Sequence, residues 1–161
     1  MILGIDIGRV LISPDSGGGG DTSFIGGTLE AALATPPYDG VFEVLPALVK
    51  HFEGRVWLVS KARSRVEHKS RCWLAHHRFF ERTGIHPGHL RFCIERHQKA
   101  DHCRELGITH FIDDRLDVLG HLDGVVRHRF LFGPQKAGIA HSNDIVRLPS
   151  WCSVQPDLFR L

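Results

Sequence analysis

The sequence predicts an α/β fold, a Rossmann-like three-layer sandwich with a central parallel sheet. Short apolar segments alternate with segments of helical periodicity, the pattern of a parallel sheet joined by crossover helices. Residues suited to phosphoryl chemistry stand at or just past successive strand-like segments: Asp6 in ILGIDIGRV, Ser60 in RVWLVSK, Lys99 in RHQKAD, and the Asp113–Asp114 pair in THFIDDRLD. At 161 residues the chain can bury one substantial core but not two, so residues 1–161 are read as one domain.

Taken in order, residues 2–5 and 10–12 form an apolar first strand that bends just past Asp6. Residues 13–40 read as a loop, a flexible flap or minimal lid. The run Gly17–Gly20 loses too much backbone entropy to hold regular structure easily, and a short helix is expected at Thr28–Ala34 before PPYDG ends it. Val41, Val44, Leu45, Leu48 and Val49 recur at helical spacing, so Val41–Phe52 reads as a core-facing helix despite Pro46, with Gly54 as its stop. Arg55–Val59 is the second strand and delivers Ser60 to its carboxyl end. A long helix follows over Arg63–Arg82, with Val66, Cys72, Trp73, Phe79 and Phe80 as apolar contacts, Trp73 in the core, and Gly84 as its end. Leu90–Ile94 is the third strand, His97–Leu106 a helix and Thr109–Ile112 the fourth strand. Val118, Leu119 and Leu122 mark a short helix and Val125–Phe132 a fifth strand, and from Gly133 onward no periodicity stands out.

Composition excludes more than it selects. The formal net charge is +2, from 20 basic and 18 acidic side chains, so bulk electrostatics choose no partner and do not indicate nucleic acid. No apolar run approaches the roughly 20 residues that span a bilayer, and no membrane partner is expected. The N-terminal MILGIDIGRVLI carries Asp6 and lacks a basic leader, which reads as a cytoplasmic protein rather than a secreted one. Lys61, Arg63, Arg65, His68, Lys69 and Arg71 make an ordinary solvated helix face, or the positive side of a phosphate-binding crevice. Cys72, Cys93, Cys103 and Cys152 show no CxxC spacing and read as reduced, core or half-buried thiols. Cys72 and His76 share one helix face, but a zinc site there lacks a second pair of ligands.

In an open parallel sheet the carboxyl ends of the strands share one edge, so these distant residues can line one crevice. Asp6 can attack phosphorus if a divalent cation offsets the repulsion between two anions. Asp6, Asp113 and Asp114 offer the oxygen ligands Mg²⁺ favours, and the carbonyl of Gly8 can complete them. Ser60 can hydrogen-bond a phosphate oxygen, and Lys99 can orient Asp6 and neutralise transition-state charge. Gly8, Arg9, Ser60 and Lys61 are the candidate substrate-binding residues. Each residue alone also has a structural reading, as a turn former or helix cap. All of them at successive strand ends, in this order, favour a site.

That ordered set resembles the haloacid dehalogenase superfamily of phosphohydrolases: ILGIDIGRV matches its first motif, VWLVS its second, Lys99 its third and FIDDRLD its fourth, over residues 1–132. The segment SKARSRVEHKSRCWL followed by a strand and IDD is most similar to the deoxyribonucleotidase branch. The resemblance implies a central first strand, a phospho-aspartyl intermediate on Asp6, and Mg²⁺ held by Asp6, the Gly8 carbonyl and Asp113 or Asp114. Superfamily phosphatases carry a second Asp two residues after the nucleophile as general acid and base, worth about 10² to 10⁴ in rate. Here that position is Gly8. Superfamily caps follow the first or third strand; residues 13–40 allow only a small lid, and none fits between Ile94 and Lys99. An open site would suit a macromolecular phosphate ester or a lid supplied by a partner. The implied function is a Mg²⁺-dependent phosphatase or hydrolase acting on a phosphorylated substrate. The alternative is a catalytically silent phosphate-binding or interaction domain, which Gly8 favours. Dehalogenase chemistry has no use for the acidic pair.

Overall fold

The computed structural model describes residues 1–14, 22–136 and 143–159. The run Gly17–Gly20, expected as a flap, lies outside them. A six-stranded sheet runs in the order β3-β2-β1-β4-β5-β6. Its strands are β1 (Leu3–Ile5), β2 (Val56–Lys61), β3 (Leu90–Cys93), β4 (His110–Asp113), β5 (His128–Phe132) and β6 (Ile145–Leu148). Every neighbouring pair is parallel. The chain builds outward from β1 through β2 to β3 on one side, then returns to lay β4, β5 and β6 on the other. The topological switch point therefore falls between β1 and β4, where crossovers diverge and leave a crevice at the strands' carboxyl ends.

Alternation along the strands sends side chains to two apolar layers. One layer gathers Leu3, Ile5, Ile112, Phe130 and Phe132 with Leu45 and Leu48 of α3 (Val41–His51), Trp73 of α4 (Ser64–His76) and Trp151. The other gathers Val59, Phe111 and Leu131 with Cys103 of α6 (Lys99–Leu106) and Leu119 of α7 (Leu116–His121). Gly4 is required between the layers, because a Cβ there would lie 2.4 Å from Phe111 Cδ2. Pro46 is accommodated on the exposed face of α3, while Val41, Leu45 and Leu48 face the core.

Several expectations change. The helix foreseen over Arg63–Arg82 is broken: α4 stops at His76, Arg78 turns left-handed at φ 51°, and α5 (Phe79–Thr83) starts afresh. Trp73 and Phe79 are six residues apart, about 120° around an unbroken helix of 3.6 residues per turn, so on one straight helix they would point in different directions. The break lets both be fully buried. Residues 10–12 do not extend the first strand. The N–H groups of Val10, Leu11 and Ile12 all bond to the Ile7 carbonyl, at 3.4, 2.9 and 3.2 Å, closing a tight turn with Arg9 left-handed at φ 59°. Val125 and Val126 belong to the turn after α7, both bonding to the Leu122 carbonyl, so β5 starts only at His128. The helix expected from His97 begins with a 3₁₀ turn, Arg96–Gln98, and α6 itself starts at Lys99.

The tail without visible periodicity contributes β6 and a 3₁₀ turn at Trp151–Ser153. A four-residue edge strand is too short to display a period. Between β1 and α3, α1 (Thr22–Ile25) and α2 (Leu29–Ala34) rise from a stem in which Ile12 bridges Pro37 and the Ser13 N–H bonds the Pro36 carbonyl at 3.0 Å. Of the cysteines, Cys152 is exposed, not half-buried, while Cys93 and Cys103 are buried and Cys72 lies between. Among the described residues, no helix is long and apolar enough to cross a membrane.

Candidate active site

Asp6 stands one residue past β1, held there by its N–H bond to the Ile112 carbonyl of β4 at 3.0 Å. Asp113 closes β4 itself, so the switch point places both carboxylates against one another. Lys99, the first residue of α6, projects between them. Its Nζ lies 2.9 Å from Asp6 Oδ1 and 2.7 Å from Asp113 Oδ2, with the lysine 2% exposed. The ammonium also lies 5.7 Å from the centre of the Phe111 ring, beside which Gly4 leaves no room for a side chain. Asp113 Oδ1 accepts the Arg115 N–H at 2.9 Å, so both of its oxygens are engaged.

Asp6, Asp113 and Asp114 each offer a carboxylate oxygen, all within 4.8 Å of one another, and no other group of this kind occurs among the described residues. Two of these carboxylates, Asp6 and Asp113, flank the one buried ammonium, and Asp114 stands beside them. Burial opposes the charge on Lys99, but Asp113 and then Asp6 outweigh it and hold its pKa above the ordinary lysine value. Burial raises Asp113 to about 6, with Lys99 opposing and Asp6 adding to the rise. Burial followed by Asp6 and Asp113 raises Asp114 to about 8, against the pull of Arg9 and Lys99. The residual negative charge, the hard oxygen donors and the close spacing fit a divalent cation.

Beside this centre opens a cleft of about 420 Å³. Of the residues expected in the site, Asp6, Gly8, Arg9, Ser60, Lys61, Lys99 and Asp114 line it, whereas Asp113 stands behind the wall with no exposure. Ser60 is the penultimate residue of β2 and is buried, while Lys61 at the strand's end is exposed. An ideal Cβ on Gly8 would meet nothing within 4 Å, so the position that lacks a carboxylate has space for one.

The basic run after Ser60 divides. Lys61 and Arg63 line the cleft. Arg65 and His68 are exposed away from it, and Arg71 pairs with Glu67 at 2.9 Å. Lys69 is buried, at odds with a solvated face: its ammonium donates to the Phe24 and Gly27 carbonyls and ties the segment carrying α1 and α2 onto α4. Trp73 adds a second tie, donating its indole N–H to the Thr35 carbonyl at 2.8 Å. Phe24 and Ile25 consequently stand in the cleft wall.

Sequence reasoning missed these two, and it missed Arg96 and Arg115 in the lining. Both arginines sit within a few residues of a strand end, so the rule that found Asp6 and Ser60 could have found them. No family model matches the chain, and no curated protein matches it.

Proposed function

We propose that the protein is a Mg²⁺-dependent phosphatase of the haloacid dehalogenase-like type, hydrolysing a phosphate ester through an aspartyl-phosphate on Asp6. The observation that carries this reading is Lys99 held between Asp6 and Asp113 at 2.9 and 2.7 Å, with a third carboxylate, Asp114, in the same cluster. A structural ion pair needs one acid per base. A buried excess of carboxylates is costly unless a cation and its ligand complete the site.

Asp6, Asp114 and Asp113, with the Gly8 carbonyl, would hold Mg²⁺, which when bound offsets negative charge and fixes the orientation of phosphoryl oxygens. Lys99 pairs with one oxygen of Asp6, leaving the other for attack. Ser60 donates its hydroxyl to a non-bridging phosphoryl oxygen, and Lys61 adds positive charge at the mouth. In the first step an Asp6 oxygen bonds to phosphorus while the ester P–O bond breaks, its electrons leaving with the alcohol oxygen. Gly8 supplies no acid, so that oxygen takes its proton from water. In the second step water attacks phosphorus, the Asp6–phosphorus linkage breaks, and phosphate, a free carboxylate and a proton result.

Gly8 also supports a second reading, a silent domain that binds phosphate without turnover. Purified protein with Mg²⁺ and aryl phosphates separates the two. The enzyme reading expects turnover that Asp6→Asn abolishes while the variant stays folded, and beryllium fluoride binding that requires Asp6. Phosphate binding without turnover selects the silent domain. Undiminished activity in Asp6→Asn would sink the aspartyl-phosphate route.

A further inference from the structure

The loops after the first four strands in sequence each bring a cation to the cleft: Arg9 after β1, Lys61 and Arg63 at the end of β2 and just past it, Arg96 after β3 and Arg115 after β4. One phosphoryl group over the carboxylate cluster has Ser60, Lys61 and Lys99 for its own oxygens. The outer guanidinium groups then form a second set. Arg63 faces Glu95 at 3.6 Å, and Arg96 and Arg115 share Asp117 at 3.5 and 3.0 Å. Three guanidinium groups therefore face two carboxylates. The members of these pairs are between 41% and 73% exposed, so water already competes for them and little is lost when a ligand takes their place. A guanidinium presents a planar fork that matches carboxylate and phosphate oxygens two at a time.

Apart from Ser70, the remaining lining is apolar. Ile12, Phe24, Ile25, Val66 and Val118 face the same space, and Ile25 is 67% exposed there. A cleft of about 420 Å³ suits a small organic molecule, since ligand pockets run from about 300 to 1,000 Å³.

On the phosphatase reading above, we infer that the substrate is a small phosphate ester whose body has an apolar face and carries a second anion, a carboxylate or another phosphate, received by Arg63, Arg96 and Arg115. The body lies against Phe24 and Ile25, and the second anion selects this substrate over esters with neutral bodies.

Phosphonates test this without turnover, because their C–P bond survives. Calorimetry with Mg²⁺ present compares phenylphosphonate with 4-phosphonobenzoate, and pentylphosphonate with 5-phosphonopentanoate, so that a rigid and a flexible span are both covered. At least one carboxylated member should bind about tenfold tighter than its partner, the size expected of one charge-assisted hydrogen-bonded pair. That ratio should fall toward one in Arg96→Gln and in Arg63→Gln, and stay in Arg65→Gln, which removes a charge outside the cleft. 4-Carbamoylphenylphosphonate should lack the advantage. Equal affinities within both pairs, or an advantage that survives both cleft variants, would overturn the second-anion subsite while leaving the phosphoryl centre intact. If no phosphonate and no inorganic phosphate binds, yet terephthalate binds in a manner that needs Arg96, the phosphoryl reading falls and the anion-binding rim stands. If terephthalate also fails to bind, both fall.

Discussion

Trp151 donates its indole N–H to the carbonyl of Val10 at 2.7 Å, tying the last part of the described chain to the turn just past Asp6. The indole is fully buried and its partner lies 141 residues away in sequence. The turn that presents Gly8 and Arg9 to the cleft is therefore braced from the far end of the chain. Trp151→Phe would leave the Val10 carbonyl buried without this donor, at a cost of about 1 to 3 kcal/mol. Urea denaturation should show that loss, and calorimetry should show weaker Mg²⁺ binding in the folded variant. Unchanged stability would mean the turn holds itself.

The acidic centre should bind Mg²⁺. Asp114→Ala should weaken binding at least tenfold with little loss of stability, because Asp114 lines the cleft. Asp113→Ala should weaken binding and also destabilise the fold by several kcal/mol, since removing one partner of a buried pair costs about 3 to 5 kcal/mol and Lys99 is 2% exposed. Calorimetry and thermal melts of the two variants read these separately. No wild-type binding at millimolar Mg²⁺ would remove the metal from the site.

On the proposed phosphatase reading, Gly8 should decide which leaving groups are tolerated. An aryl phosphate departs as a stabilised phenolate and needs little protonation, whereas an alkyl phosphate departs as a strongly basic alkoxide. Wild-type turnover should therefore favour aryl esters. Gly8→Asp, where an ideal Cβ meets nothing within 4 Å, should raise alkyl ester hydrolysis by about tenfold to a hundredfold more than aryl hydrolysis, at or below the low end of what general acid catalysis supplies. Steady-state rates on both substrate types decide it. An equal change on both would show that the proton comes from elsewhere.

His110 should give the fold an acid-sensitive limb. Burial, with the charge of nearby His128 adding, lowers its pKa to about 4. The rings of His110 and His128 stack with centroids 4.5 Å apart. An unfolded histidine titrates near 6.5, so between pH 6.5 and 4 the unfolded chain binds the proton the folded chain refuses. The contribution of His110 is complete above about pH 6.5 and is lost as pH falls toward 4, by up to about 3 kcal/mol. Asp113 and Asp114 act in the opposite sense, because their raised values favour the folded state as pH falls. The comparison is therefore between wild type and His110→Phe, by urea denaturation at pH 7 and pH 5. The difference between them should shift by about 1 to 3 kcal/mol in favour of the variant at the lower pH, and a constant difference would show that His110 does not titrate this way.

The alternation of apolar and helical segments determined an α/β parallel sheet, because each strand and helix must bury a face whose period is written locally. The placement of Asp6, Ser60 and Asp113 was legible for the same reason, since they sit at or just past apolar runs and parallel strands bring such ends to one edge; Lys99, expected at a strand end, instead opens α6 six residues after β3 ends. That Gly8, and not a carboxylate, stands two residues past Asp6 was legible directly. What the sequence could not show depended on contacts between distant segments. The break at Arg78 exists because Trp73 and Phe79 must reach the same apolar layer. The edge strand β6 is visible only through its pairing with β5, and Lys69 became a buried tie for α1 and α2 only because the Phe24 and Gly27 carbonyls come down on it. Tertiary structure alone decided that Arg96 and Arg115, from different crossovers, join Phe24 and Ile25 around one cleft. Local sequence carries periodicity and turn chemistry, whereas the partner of a buried polar group and the neighbours of a cleft are set by how the layers pack.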